Sequence, residues 1–205
     1  MKVHVRAASL VLFVLALCAP ARAQDYSRWE IYGGGDFLHV NAGSIPYGNG
    51  QSYVLQQNAY GWHASLTENK TSWVGGVMDF SGDYANRTVN FGTTAIPFNV
   101  RFNASVYPFL FGPRFYLRRG EKLSVFGNPL IGGVYGRVAV SSVSPTVTDT
   151  EWAYALGGGA DYKLSYHFAI RGQGEYLRTH FPETLARDYQ NNFRVSAGIV
   201  FEFNP

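Results

Sequence analysis

Thiols are almost absent from this sequence. Its 205 residues include one cysteine, Cys18, which excludes a disulfide within the chain and a thiolate metal cluster. Charged residues are also few, at 15%, whereas 14 Tyr, 15 Phe and 23 Gly are present, so the composition is not that of a disordered chain. Lysine is scarce: beyond Lys2 only Lys70, Lys122 and Lys163 occur, fewer than a soluble surface normally carries. Long apolar runs are missing as well. The longest, from Ala7 to Leu17, is about eleven residues, too short for a membrane-spanning helix of about 20.

That run has another meaning. Lys2 and Arg6 flank it as a positive segment, and Ala21-Arg22-Ala23 forms a small-residue cleavage site before Gln24. Residues 1–23 are therefore predicted to be an export signal, and 24–205 a single β-barrel domain. Leu17 occupies the position before Cys18 where lipoprotein processing needs a small residue, so Cys18 is expected to leave with the signal. Removing Lys2, Arg6 and Arg22 lowers the 17 basic residues to 14, equal to the 14 acidic ones. The formal +3 thus belongs to the signal, and a phosphate-neutralising basic face, with nucleic acid as its partner, is not expected.

The rest of the chain alternates with period two. Phe193, Val195, Ala197, Ile199, Phe201 and Phe203 share one strand face, and Arg194, Ser196, Gly198, Val200 and Glu202 the other. Eight such blocks occur, near 29–40, 59–66, 72–82, 101–117, 123–140, 150–163, 167–179 and 192–203. Their connections alternate between tight and long. Thr67–Thr71, Arg118–Lys122 and Leu164–Tyr166 are tight; 41–58 and 83–100 are long and rich in Gly, Asn, Ser, Thr or Pro. The pattern predicts an all-β fold: an eight-stranded antiparallel up-and-down transmembrane β-barrel with short periplasmic turns and longer external loops. Such strands cross in about 9–11 residues, and a closed sheet leaves no backbone group unsatisfied in lipid. A mean hydropathy of −0.09 fits, because only alternate residues meet lipid. The competing arrangement is a soluble periplasmic or secreted β-barrel that turns its apolar face inward around an apolar ligand. Trp29, Trp62, Trp73 and Trp152 are candidates for aromatic girdles, with an inward Trp73 as an alternative.

The residues also carry a family resemblance. Trp29-Glu-Ile-Tyr-Gly-Gly-Gly35, Gly61-Trp62-His63-Ala64-Ser65, Gly75–Gly82, Phe109–Arg114, Ala155–Asp161 and Arg194–Phe203 together resemble the small outer-membrane β-barrels related to the OmpA and OmpX transmembrane domains. The likeness implies a monomeric barrel in a Gram-negative-type outer membrane. Its implied partners are membrane lipid, lipopolysaccharide and the barrel-assembly machinery. That machinery would read the terminal strand at Phe201 and Phe203; this chain adds Asn204-Pro205 after them. No cofactor is implied.

By alternation the lumen of such a barrel receives Glu30, Asp36, His63, Asp79, Arg114, Asp161, Arg171, Glu175, Arg194 and Glu202. Eight strands enclose a space that side chains just fill, so these charges are expected to pair as a network that largely plugs it. A narrow pore that opens by rearrangement of this network is the sharper alternative. If the last hairpin pairs Leu177 with Arg194, Glu175 lies diagonal to Arg194 and Arg171 lies near Glu202.

Catalysis has one candidate. His63-x-Ser65 puts an imidazole and a hydroxyl on one strand face, with Asp79 or Glu68 available as the acid. The arrangement superficially resembles that of lipid A deacylases, but a His63 facing the lumen meets no acyl chain, so no enzyme is expected. His39, His167 and His180 lack ligand spacing, and no metal site is expected. The triplets Gly33–Gly35 and Gly157–Gly159 lie inside strands, where they suit close packing rather than phosphate binding. The sequons Asn69-Lys-Thr71, Asn86-Arg-Thr88 and Asn103-Ala-Ser105 carry little weight in a bacterial outer membrane.

Overall fold

A computed structural model describes residues 26–47, 51–93, 96–119, 122–140, 147–180 and 189–203. The signal segment, including Ala21, Ala23 and Gln24, lies outside them. The described chain forms eight strands: β1 (Trp29–Tyr47), β2 (Gln51–Asn69), β3 (Val74–Thr93), β4 (Ile96–Arg119), β5 (Leu123–Val140), β6 (Val147–Lys163), β7 (Phe168–His180) and β8 (Tyr189–Phe203). Each pairs antiparallel with its sequence neighbour, and β8 returns to β1, so the sheet closes into a barrel. Among the described residues there is no helix.

The period-two alternation sorts residues between lipid and lumen. Along β7 and β8 nearly every second residue is buried: Arg171, Gln173, Glu175 and Leu177, then Asn192, Arg194, Ser196, Val200 and Glu202. The exposed set is apolar, for example Met78, Phe80, Phe111, Ile131, Leu156, Ile170 and Ile199. A soluble barrel needs the reverse, since so broad an apolar exterior would aggregate in water. The arrangement of an apolar cavity inside a polar coat is thereby overturned.

Aromatic side chains bound this band at both ends. At the end of the short turns Trp73 is exposed and stacks on Phe115, with Tyr162, Tyr166, Phe168 and Phe201 also exposed there. Trp73 therefore faces outward. At the other end Tyr84, Tyr107 and Tyr135 form a chain of ring contacts of 5.9 and 6.2 Å, and Phe37 meets Tyr60 at 5.3 Å. Amphipathic rings at both margins suit the two membrane–water interfaces.

Two expected connections are corrected. The segments 41–58 and 83–100 are mostly strand, not loop: the β1–β2 ladder runs on to Tyr47↔Gln51, and β3–β4 to Thr93↔Ile96. Their β-branched and aromatic residues, such as Val54, Val89 and Phe98, favour pairing, which the interspersed Gly, Asn and Pro disguise in the sequence. The barrel itself ends earlier, because β2–β3 pairing stops at Tyr60↔Tyr84 and β1–β8 pairing at His39↔Phe193. The β1–β2 hairpin thus continues alone past His39 for roughly 25 Å, and the β3–β4 hairpin, whose β4 pairs with β5 as far as Phe102↔Val140, continues alone beyond that for roughly 20 Å, at about 3.3 Å per residue. At the opposite end β2 extends through Asn69, so the first tight turn is Lys70–Trp73, later than predicted.

Glycine enters where neighbours come close. A Cβ on Gly157, inside the second triplet, would collide with the Glu175 side chain. On the outside, a Cβ on Gly133 would lie 2.5 Å from Cζ of Phe109, whose ring covers that glycine.

Candidate functional site

The inward residues form three tiers. Nearest the short turns, Arg171 lies directly opposite Asp161 across β6–β7. Its Nε and Nη2 donate to the two Asp161 carboxylate oxygens at 2.6 and 2.7 Å, and Nη2 also donates to Glu30 at 2.9 Å. Glu30 further accepts from Tyr116 at 2.8 Å and from Asn69 at 2.7 Å. Arg114 donates to Thr67 Oγ1 at 3.1 Å. The Arg114 and Arg171 guanidinium carbons lie 4.4 and 4.7 Å from the centre of the Phe126 ring, within cation–π range. Glu202 accepts from Lys163 at 2.9 Å and Ser27 at 2.8 Å. Glu30, Asp161 and Glu202 are thus matched in number by Arg114, Arg171 and Lys163.

The middle tier is built around Arg194, which faces Glu175 directly across β7–β8. Its Nε reaches Glu175 at 2.9 Å and its Nη2 reaches Asp79 at 2.9 Å, while Nη1 donates to Ser81. His63 Nε2 lies 2.6 Å from the second Asp79 oxygen, and Nδ1 lies 3.0 Å from Ser196 Oγ and 3.1 Å from Gln173 Nε2. Buried charges persist only when paired in this way.

Toward the long hairpins the lumen becomes largely apolar, with Thr179, Gln190 and Asn192 as buried polar residues on β7 and β8. Leu38, Leu110, Val134 and Leu177 are buried there with Ala59, Ala85, Ala153 and Ala155. The charged network thus occupies only part of the interior. The outer strand segments place aliphatic residues on the same inward face that carries Asp36 and Glu175 nearer the turns.

All ten residues assigned to the lumen are buried, from 0% exposure for Arg114, Arg171 and Asp79 to 8% for Asp36. The proposed register is corrected. Leu177 pairs with Asn192, so Glu175 is opposite rather than diagonal to Arg194. Arg171 turns to Asp161 and Glu30, while Glu202 turns to Lys163 and Ser27. A two-residue shift leaves every side chain on its own face, so alternation alone could not fix it. Several partners of the lumen residues do not follow from the alternation of charged residues: Tyr116, Asn69, Ser81, Ser196 and Asp83. Asp83 shares the alternation of Asp79 and Ser81, one residue beyond the block near 72–82.

The candidate catalytic group is rearranged as well. The hydroxyl beside His63 is that of Ser196, from β8, while Ser65 Oγ has no hydrogen-bond partner. Glu68 lies at the strand end with Lys70 and Arg28. His63, Asp79 and Ser196 are 0–3% exposed, so no acyl substrate can approach them. His63, Asp79 and Glu175 also offer ligand atoms within 4.8 Å of one another, but the Arg194 guanidinium already bridges the two carboxylates.

An eight-stranded closed barrel, apolar outside and polar within, matches the family model described as outer membrane protein beta-barrel domain over residues 9–201. The chain belongs to this family. It resides in the outer membrane, as the family description states and the aromatic-bounded apolar exterior requires. Among solved structures it is similar to Ail, the attachment invasion locus protein of Yersinia pestis (18% identity, 86% of this chain and 99% of that one, TM-score 0.51). Neisserial surface protein A (NspA) matches at 9% identity over 88% of this chain and 100% of that one, with a TM-score of 0.56. OprG from Pseudomonas aeruginosa matches at 13% identity over 88% and 98%, with a TM-score of 0.53. At these identities the likeness is one of fold. No curated protein matches the chain in sequence.

Proposed function

We propose that this outer-membrane barrel is a closed, non-conducting and non-catalytic scaffold that carries two projecting hairpins as its interaction surface. The observation that supports this most is the sealed lumen. Arg194 ties β8 to Glu175 and Asp79 across the middle tier, and the apolar tier at Leu38, Leu110, Val134 and Leu177 lies beyond it. An ion entering would have to displace paired charges and then cross a dry apolar constriction. In this reading the β1–β2 and β3–β4 hairpins face outward, lipopolysaccharide and lipid surround the aromatic-bounded band, and Phe201 and Phe203 present the terminal strand to the assembly machinery as the barrel, a monomer, inserts.

The deciding measurement is conductance. Purified protein folded into planar bilayers is expected to remain silent; reproducible single-channel steps from the wild-type chain would establish the narrow-pore reading instead. Lipid A mass spectra are expected to be unchanged by overexpression, and loss of an acyl chain would revive catalysis around His63.

A further inference from the structure

The tier nearest the short turns balances its charge, but the middle tier does not. Glu175, Asp79, Asp36 and Asp83 are buried around one guanidinium, that of Arg194, and one imidazole, that of His63. The excess is two negative charges with a charged imidazole and three with a neutral one. Arg194 directs its nitrogens to Glu175, Asp79 and Ser81. The surplus therefore falls on Asp36 and Asp83.

The register explains how these two meet. Asp36 on β1 and Asp83 on β3 both pair with Gly61 on the intervening β2. With no side chain between them, the Asp36 carboxylate leans over the glycine: a Cβ there would lie 2.8 Å from Asp36 Oδ1. The Asp36 and Asp83 side chains therefore flank the same glycine on the inward face. Asp36 is 8% exposed and neither of its oxygens has a hydrogen-bond partner; Asp83 is 1% exposed, and its Oδ1 has none either. Ser81 Oγ, 3.3 Å from Asp83 Oδ2, adds a further oxygen beside them. Unpartnered buried carboxylate oxygens are costly, so these three call for a neutralising partner, a proton or a cation.

We infer that Asp36 and Asp83, across Gly61, bind one hard divalent cation of the calcium type inside the lumen. Two carboxylates and a hydroxyl supply only oxygen ligands, as such a cation prefers, with water completing the shell. One shared proton would remove a single charge, whereas a divalent ion removes two, which equals the excess that remains when the imidazole is charged. This inference does not depend on whether the barrel conducts.

The test uses full-length mature protein refolded without lipopolysaccharide in zwitterionic detergent, once with EDTA and once with calcium chloride present throughout refolding, so that the ion is offered before the lumen closes. At a hundredfold excess over the dissociation constant the unfolding midpoint is expected to rise by about 5–10 °C. The D36N/D83N double variant should show no calcium-dependent rise. Equilibrium dialysis with radioactive calcium should give one bound ion for the wild type, and it decides the matter if the double variant fails to refold. An absent rise with no bound ion overturns the inference. So does an equal rise in both proteins, or an EDTA-treated wild type stabilised as strongly by acidification to pH 5 as by calcium, which would assign the pair a shared proton.

Discussion

Glu30 and Glu202 stand directly opposite each other where β1 and β8 close the barrel, both facing inward. Like charges at opposed positions destabilise a ladder, so the closure holds because each carboxylate turns to its own cation. Glu30 takes Arg171, Tyr116 and Asn69, whereas Glu202 takes Lys163 and Ser27. The two cations are not equivalent, since the Arg171 side chain is fully buried and that of Lys163 is 36% exposed.

Replacing them should therefore give unequal results. R171M strands Glu30 and Asp161 in a dry interior and is expected to cost about 3–5 kcal/mol of unfolding free energy. K163M removes a partly exposed cation and leaves Glu202 its hydrogen bond from Ser27, so it should cost less, about 1–2 kcal/mol. In an E30Q/D161N background the R171M penalty should shrink, because no buried charge is then abandoned. Urea unfolding in detergent or lipid vesicles measures all three, and equal costs for the two single variants would contradict the tiered network.

Depth in the membrane makes a second prediction. Ile131 lies within the apolar band of β5, and Tyr135 lies on the same outer face at its aromatic margin. I131R should cost about 2–4 kcal/mol in lipid vesicles and Y135R about 0–1 kcal/mol, following the known depth dependence for arginine. Detergent micelles should compress the difference. A reversed order would misplace the membrane on the barrel.

Proteolysis of intact cells reports which end faces outward. The hairpins that extend past Tyr60 and Tyr84 carry Arg87 and Arg101, while Arg114, Arg171 and Arg194 are buried in the lumen. External trypsin is expected to cut at Arg87 or Arg101 and to leave the other three intact. Fragments ending at Lys70 or Lys163, at the short-turn end of the barrel, would invert the topology.

Much of this was legible in the sequence because one rule governs a barrel: neighbours along a strand face opposite ways. Strand number, inward charges such as Glu175 and Arg194, and the outward Phe and Ile all follow from it. Register does not, since a shift by two preserves every face. That is why Arg171 was assigned the wrong acid and Ser65, rather than Ser196, was placed beside His63. Strand ends are equally hidden: Asn41 to Asn58 has a loop-like composition, yet its backbone pairs because two adjacent chains satisfy each other beyond the membrane. The apolar tier was readable at Leu38 and Leu177, two residues beyond Asp36 and Glu175 on the same face.

That tier leads to the most demanding prediction. If charge pairing alone sealed the lumen, R194A would be enough to open it, for it releases Glu175 and Asp79 from their shared cation. Leu38 and Leu177, both 0% exposed, would still fill the lumen beyond the broken pair, and a constriction lined by such groups stays dry. R194A alone is therefore expected to remain silent in planar bilayers. L38A/L177A alone should also be silent, because Arg194 still spans β7, β8 and β3 beneath it. Only the triple variant L38A/L177A/R194A should conduct, with cations favoured over anions because Glu175, Asp79, Asp36 and Asp83 then line the opening with no guanidinium among them. Conductance from R194A by itself would make the charge pair the sole barrier. Silence of a triple variant that still shows the folded, heat-modifiable band would mean that the seal extends into the Arg171 tier.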